Sequence, residues 1–184
     1  LNLRGVFSAS GTAMSFMKFG LVAYLGVGAL DALLSFRGLA ENVQFTLASL
    51  AVDQLGLQGA FSMILCGAIY YMVPRLTGLP WQSGAMVSGH RLAMTVGVVA
   101  LVVALFAAGN VQGAALADAK VGFGEIATRM KFWLLVRTAA EFVLLAGNLL
   151  FLVNFALSAC GCRQAAAGDT SPFRHSAAME APAR

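Results

Sequence analysis

Residues 92–108 read LAMTVGVVALVVALFAA and contain no charged side chain. A membrane hydrocarbon core about 30 Å thick is crossed by roughly 20 apolar residues of helix, and this segment supplies most of that length. We therefore predict a transmembrane helix here, and its freedom from charge makes it the clearest of the chain.

Three further stretches have the same character, although each contains polar residues. They run from about Phe16 to Phe36, from about Phe45 to Val73 and from about Phe132 to Ala159. The second is longer than the hydrocarbon core is thick, which a helix accommodates by tilting or protruding. The sequence predicts an all-α membrane protein, a compact bundle of about four transmembrane helices.

The composition agrees with a membrane protein and disfavours other classes. Of 184 residues, 59% are hydrophobic and 11% are charged, with a mean hydropathy of +0.80. Average soluble domains are about 25% charged, so this chain has too little polar surface to cover a soluble globule. The net charge of +4 comes from scattered single basic residues, which argues against nucleic-acid binding.

The chain divides into three parts by composition. We expect an N-terminal segment at 1–15, a four-helix transmembrane domain at 16–160 and a disordered cytoplasmic tail at 161–184, rich in Ala, Ser, Pro and Gly. The stretches 37–44, 74–91 and 109–129 are predicted connectors, of which the last could contain a short surface helix. Residues 78–81 predict a turn with an interfacial Trp.

Basic residues are distributed unequally between the two ends of the predicted bundle. One end collects Arg4, Lys18, Arg75, Arg91, Arg163, Arg174 and Arg184, and the other collects Arg37, Lys120, Arg129 and Lys131. Because Lys and Arg are enriched in cytoplasmic segments, both termini are expected on the cytoplasmic side.

Four ionisable residues lie inside the predicted spans, namely Asp31, Asp53, Arg137 and Glu141. Each costs roughly 2.5–3.5 kcal/mol at a helix centre on insertion scales, so each needs a reason. Arg137 and Glu141 are spaced i,i+4 and could pair on one helix face. The four could form a proton or ion path, or could hold helices and partner subunits together, which is the more frequent role.

Histidine is scarce, and this limits cofactor chemistry. The chain has only His90, beside Arg91 at a predicted helix start, and His175 in the tail. His90 is a weak candidate for a functional role. Three imidazoles for a copper site cannot come from this chain alone, and the three cysteines give only a weak metal signal. We expect no cofactor in this chain.

One segment is specific enough to suggest a family. Residues 67–76, GAIYYMVPRL, resemble a helix end in the catalytic subunit of C-family (cbb-type) haem-copper oxidases. Residues 55–59 (LGLQG), 89–92 (GHRL) and 111–113 (VQG) support the resemblance. It covers about residues 16–160 and implies the last four of the family's twelve helices.

The resemblance fails where the family binds haem. The family's His-x-His pair, whose histidines bind the two haems, corresponds to Val52-Asp53-Gln54, and a further family histidine corresponds to Gln44. We interpret these as degenerate haem-ligand positions whose cavity has been refilled, because unfilled volume destabilises a core. Asp53 would then need a new partner, for which Arg137 and solvent are the candidates.

Three functions follow as hypotheses. The first is a non-catalytic membrane subunit of a respiratory electron-transfer complex, structural or assembly-related, in the bacterial inner membrane. Haem would then lie in partner subunits, possibly cytochrome c-type ones. The second is one piece of a split or divergent cytochrome oxidase or nitric oxide reductase, with haem and copper ligands from other chains. The third is a small proton- or quinone-handling membrane protein.

Overall fold

A computed structural model describes residues 3–78 and 80–168, with side chains placed for 11–78 and 80–160. Throughout these ranges the regular structure is helical. The helices are α1 (Leu3–Leu34), α2 (Arg37–Val43), α3 (Leu47–Gln54), α4 (Met63–Thr77), α5 (Gly84–Leu116) and α6 (Phe123–Gly168), and a π-helical segment (Leu55–Ser62) joins α3 to α4 without a break.

Four helical segments are long and apolar enough to cross a membrane. They are Gly11–Leu34, Leu47–Thr77, Gly84–Leu116 and Phe123–Cys160. The prediction of an all-α membrane protein with about four spans is confirmed. The second span combines α3, the π-helical segment and α4 into a single rod.

The connectors are shorter than the sequence predicted. Of the stretch 109–129, residues 109–116 complete α5 and residues 123–129 begin α6, so the connection between them is only 117–122. Gly109 and Gly113, which lie in the predicted connector 109–129, both pack against neighbouring helices. Residues 37–43 form α2 rather than a loop. α1 begins at Leu3, and α6 continues through Gly168, which puts residues 161–168 of the predicted tail in a helix. Residues 169–184 of that tail lie outside the described residues.

The turn between α4 and α5 is tighter than predicted and has a clear physical origin. α4 continues through Pro74 and ends at Gly78, whose positive φ of 72° suits a residue without a Cβ atom. Pro74 has no N–H, so the carbonyl of Tyr70, four residues earlier, loses its helical partner. The indole N–H of Trp81 donates to that carbonyl at 3.1 Å. Trp81, which the sequence predicted to lie at the membrane interface, therefore fixes this turn.

The fold is organised around α5. This helix packs along α6 on one side and along α3 on the other, and it also contacts α1 and α2. α1 in turn lies against α4 and the π-helical segment. Side chains of α5 that are almost fully buried include Met94, Val98, Leu101 and Leu105. α5 is thus the central helix of the bundle.

α5 lies unusually close to the α2–α3 connection, defined here as the end of α2, residues 44–46 and the start of α3. A Cβ atom added at Gly109 would overlap the backbone nitrogen of Ala48, and one at Gly113 would overlap the carbonyl oxygen of Asn42. Between these glycines, the side-chain oxygen of Gln112 accepts the N–H of Leu47 at 3.0 Å. Because N–H groups in the first turn of a helix have no partner within it, Gln112 satisfies a group that α3 cannot.

Substitution Gly109→Ala should therefore push α5 away from α3. We expect a loss of about 1–3 kcal/mol in the free energy of unfolding, the usual cost of overpacking a close contact. Denaturant titration in detergent micelles, followed by circular dichroism, would measure it. Gly28→Ala is the matched control, because nothing lies within 4 Å of a Cβ added in α1 there, and it should cause no loss. Equal stability of the two variants would refute the close approach.

Candidate functional site

His90 is a fully enclosed polar group near the start of α5. It lies in the second turn of α5 with no solvent exposure, and its Nδ1 is 2.9 Å from the hydroxyl oxygen of Tyr70 on α4. Tyr70 is itself only 1% exposed. The pair links the two helices that flank the 78–83 turn. His90, a weak candidate in the sequence, is placed at the centre of a packed site.

Aromatic rings enclose this pair. The ring of His90 lies 5.2 Å from Phe16 of α1 and 5.3 Å from Phe151 of α6, measured between centroids. The Tyr70 ring meets Trp81 edge-on at 4.8 Å. These distances fall in the range of favourable aromatic pairs. All four membrane spans and the turn therefore converge on one cluster, named here the His90 cluster and defined by Phe16, Tyr70, Trp81, His90 and Phe151.

The second ring nitrogen of His90 has no hydrogen-bond partner. Nε2 is buried and unpaired among the described residues. If the Tyr70 hydroxyl donates to Nδ1, the imidazole proton sits on Nε2 and faces aromatic rings, a weak but real kind of contact. In the other tautomer Nε2 carries a lone pair. The site therefore offers one uncommitted nitrogen.

A second polar cluster closes the same end of the bundle. Asn154 of α6 is fully buried, accepts the N–H of Ser83 at 3.2 Å and donates to the Ser83 carbonyl at 3.2 Å. One turn further, the hydroxyl of Ser158 accepts the N–H of Gln82 at 3.3 Å. The backbone of the 80–83 turn thus receives from α6 the hydrogen bonds it cannot form internally.

The positions that the sequence resemblance equates with haem ligands differ in their exposure. Val52 is buried at 4% exposure, Gln54 is half-buried, and Gln44 is exposed beyond the end of α2. Val52 therefore packs within the bundle.

Asp53 does not pair with Arg137, one of the two partners that the sequence suggested. Its side chain is exposed, and it forms no hydrogen bond or ion pair with any described residue. Arg137 bonds to Glu141 instead, which leaves solvent as the remaining candidate partner of Asp53. The physical reason is helix geometry: Asp53 lies on the outer side of α3, next to the buried Ala51 and Val52. This removes one argument for a remodelled haem cavity.

The remaining intramembrane charges also lie outside the core. Arg137 donates from Nε to Glu141 Oε1 at 2.9 Å, as their i,i+4 spacing predicted. Their side chains are 36% and 48% exposed on α6. Asp31 is exposed in the last turn of α1, close to the end of the span. Within the described residues, no three His, Cys, Asp or Glu side chains are grouped as a metal site would require.

Sequence reasoning missed the His90–Tyr70 bond and the buried role of Asn154. A signal for the first was present, because Pro74 and Gly78 predict a reversal that brings the end of α4 beside the start of α5. No sequence feature located Phe151 or Asn154 opposite this turn.

Comparison with known proteins adds no relative. No protein-family model matches the chain, and no curated protein is significantly similar to it. The fold and the two polar clusters define a multi-pass, all-α membrane protein whose interior polar groups serve helix packing.

Substitution Tyr70→Phe should weaken the bundle by about 1–3 kcal/mol, since it leaves Nδ1 of His90 buried without a partner. Thermal unfolding of the purified protein in micelles would measure the change. Tyr24→Phe is the control, because the Tyr24 side chain is 64% exposed on α1, and it should leave stability unaltered. A Tyr70→Phe protein as stable as the Tyr24→Phe control would contradict the role of this bond.

Proposed function

We propose that this chain is a non-catalytic, oxidase-subunit-I-like membrane subunit of a respiratory electron-transfer complex, with a structural or assembly role. The proposal rests first on the likeness of residues 67–76 to the cbb-type catalytic subunit. The most informative residues of that segment, Tyr70 and Pro74, organise the α4–α5 turn and the His90 cluster. A segment kept for packing suits a scaffold subunit.

The observation that carries the proposal is the burial of Val52. This residue stands where the family has a haem-ligating histidine, and its side chain packs inside the bundle with 4% exposure. An aliphatic side chain cannot ligate iron. Haem would accordingly belong to partner subunits, including cytochrome c-type ones, with the present chain packed beside them in the lipid.

The outer surface is suited to such packing. Large apolar side chains are exposed along α1, α4 and α6, for example Leu25, Leu65 and Phe142. Lipid covers such a surface, and so do neighbouring transmembrane subunits. Because the hydrophobic effect does not drive helices together inside lipid, specific association there depends on close packing and polar contacts.

A bacterial inner-membrane location with cytoplasmic termini fits the charges of the two ends. At the end containing the 78–83 turn, the charged side chains among the described residues are the basic Lys18, Arg75 and Arg91. The opposite end mixes signs, for example in the pairs Arg37–Glu41 and Arg129–Glu125. The unbalanced basic end is the one expected in the cytoplasm.

The decisive experiment for this proposal is to isolate the complex from native membranes through an affinity tag on this chain. Respiratory subunits should co-purify, and the complex should show a haem Soret band. The chain purified alone should show none. A Soret band from the isolated chain would contradict the non-catalytic role and favour a haem-binding piece of a split oxidase. Absence of any respiratory subunit from the complex would contradict the setting.

A second candidate function, proton or quinone handling, is favoured by the half-exposed Arg137–Glu141 pair within a span. Glu141→Gln removes the charge while keeping the shape. Lost proton or quinone turnover in a fully assembled complex would favour this second function. Lost assembly, or unchanged turnover, would favour the structural role.

Membrane topology gives an independent prediction. Reporter fusions after Arg184 and within the 78–83 turn should be active with a cytoplasmic reporter such as green fluorescent protein. A periplasmic reporter such as alkaline phosphatase should be active when inserted in the 117–122 connection. Both patterns follow from four spans and the basic end described above. The reverse pattern would place the termini in the periplasm and overturn the assigned orientation.

A further inference from the structure

One exposed face of α6 carries polar side chains at regular intervals inside the membrane span. The face, named here the α6 stripe, consists of Thr138, Glu141, Leu145, Asn148 and Leu152, all of them exposed. Their spacing alternates between three and four residues, which is the spacing of a helix that packs along another helix. The stripe is about 21 Å long at 1.5 Å per residue, most of the thickness of a hydrocarbon core.

The polar members of the stripe lie where lipid cannot satisfy them. A Cβ added at Gly97, near the middle of α5, would lie 3.4 Å from the carbonyl of Ala140, which places Glu141 and its partner Arg137 near the middle of the bundle. Asn148 follows Gly147 in α6, and Gly147 packs against Ala93 of α5. Among the described residues, Thr138 donates to the Leu134 carbonyl and Glu141 pairs with Arg137, but the Asn148 amide has no hydrogen-bond partner. An unpaired amide in hydrocarbon is costly, so Asn148 favours a polar partner on another helix.

The groups on the stripe complement themselves. An asparagine amide has both donors and an acceptor, so two copies of Asn148 facing each other can bond reciprocally. Arg137 and Glu141 have opposite charges one helical turn apart. Two such pairs, side by side, let each guanidinium reach the neighbouring carboxylate as well as its own. Leu145 and Leu152 supply the apolar contacts between these polar layers.

Membrane topology fixes how two copies can meet. All copies insert with the same orientation, so two α6 helices related by a two-fold axis along the membrane normal run parallel. Such an axis brings each stripe residue opposite its counterpart, as an isologous interface requires. A parallel arrangement is the one in which Asn148 faces Asn148.

We propose that this protein forms a parallel homodimer in the membrane through the α6 stripe, with Asn148 and the Arg137–Glu141 pair as its polar contacts. The occupant of the stripe is a second copy of this chain. The proposal is independent of the respiratory role, because it rests only on the exposed face of α6. Heterologous partners would use the apolar surfaces of α1 and α4 that remain outside this dimer.

The first test measures self-association of the full-length protein, labelled with donor and acceptor fluorophores and reconstituted in liposomes over a range of protein-to-lipid ratios. We expect energy transfer that decreases on dilution, with a dimer as the limiting species. Asn148→Leu should raise the dissociation constant about tenfold, since it removes the reciprocal amide contacts between the two helices. Asn110→Leu is the matched control, because Asn110 is exposed on α5 and bonds within its own helix.

The second test uses a charge exchange. Arg137→Glu places four carboxylates at the centre of the dimer and should abolish association. Adding Glu141→Arg restores two opposite pairs and should restore it. Circular dichroism of each variant checks that the bundle is folded. A monomeric wild-type protein, an Asn148→Leu variant as dimeric as wild type, or a double variant that stays monomeric would each overturn the proposal.

Discussion

The close approach of backbones along α5 is the constraint on which the rest of the fold depends. Gly109 and Gly113 let α5 lie directly on the α2–α3 connection, and Gly97 and Gly147 let it lie against α6. Inside a membrane no hydrophobic effect pulls helices together, so small residues that allow extended contact are the main source of packing energy. α5 can occupy the centre of the bundle because its own backbone is accessible on two sides.

At the basic end of the bundle, the absence of an N–H on Pro74 has a comparable influence on the fold. Pro74 leaves the carbonyl of Tyr70 without a helical donor, and Trp81 supplies one from the following turn. This places Trp81 against the Tyr70 ring and holds Tyr70 where its hydroxyl meets His90. Asn154 then fixes the same turn from α6. A histidine without a charged partner is thereby held in a buried aromatic cluster, where it contributes to packing between all four spans.

The number and type of the spans could be predicted because they depend on local hydrophobicity alone. The uncharged stretch 92–108 lies wholly within α5, and the i,i+4 pair of Arg137 and Glu141 formed as its spacing indicated. The ends of the helices were harder to predict, because glycines such as Gly109 and Gly113 occur both in loops and at close contacts between helices. Only the position of the α2–α3 connection distinguishes the two.

The candidate site was less predictable, since it depends on which helix faces meet. Asp53 lies inside a span in the sequence, but burial of Ala51 and Val52 turns it outward, away from Arg137. The sequence around His90 offered no hydrogen-bond partner for its side chain. Its partner Tyr70 becomes a neighbour only because the chain reverses direction at Gly78. The polar face of α6 became visible once its other residues, such as Leu144 and Asn154, were known to be buried.

The packing of α5 against α6 can be tested directly by disulfide trapping in native membranes. A Cβ atom at position 147 would lie 3.0 Å from that of Ala93, so a shift of about 0.5 Å brings the two into the range of about 3.5–4.5 Å that a disulfide spans. In a background without Cys66, Cys160 and Cys162, Ala93→Cys with Gly147→Cys should form an intramolecular cross-link on mild oxidation. The pair Ala93→Cys with Leu149→Cys, whose second position is exposed, should not. No cross-link in the first pair, or equal cross-linking in both, would contradict a bundle built around α5.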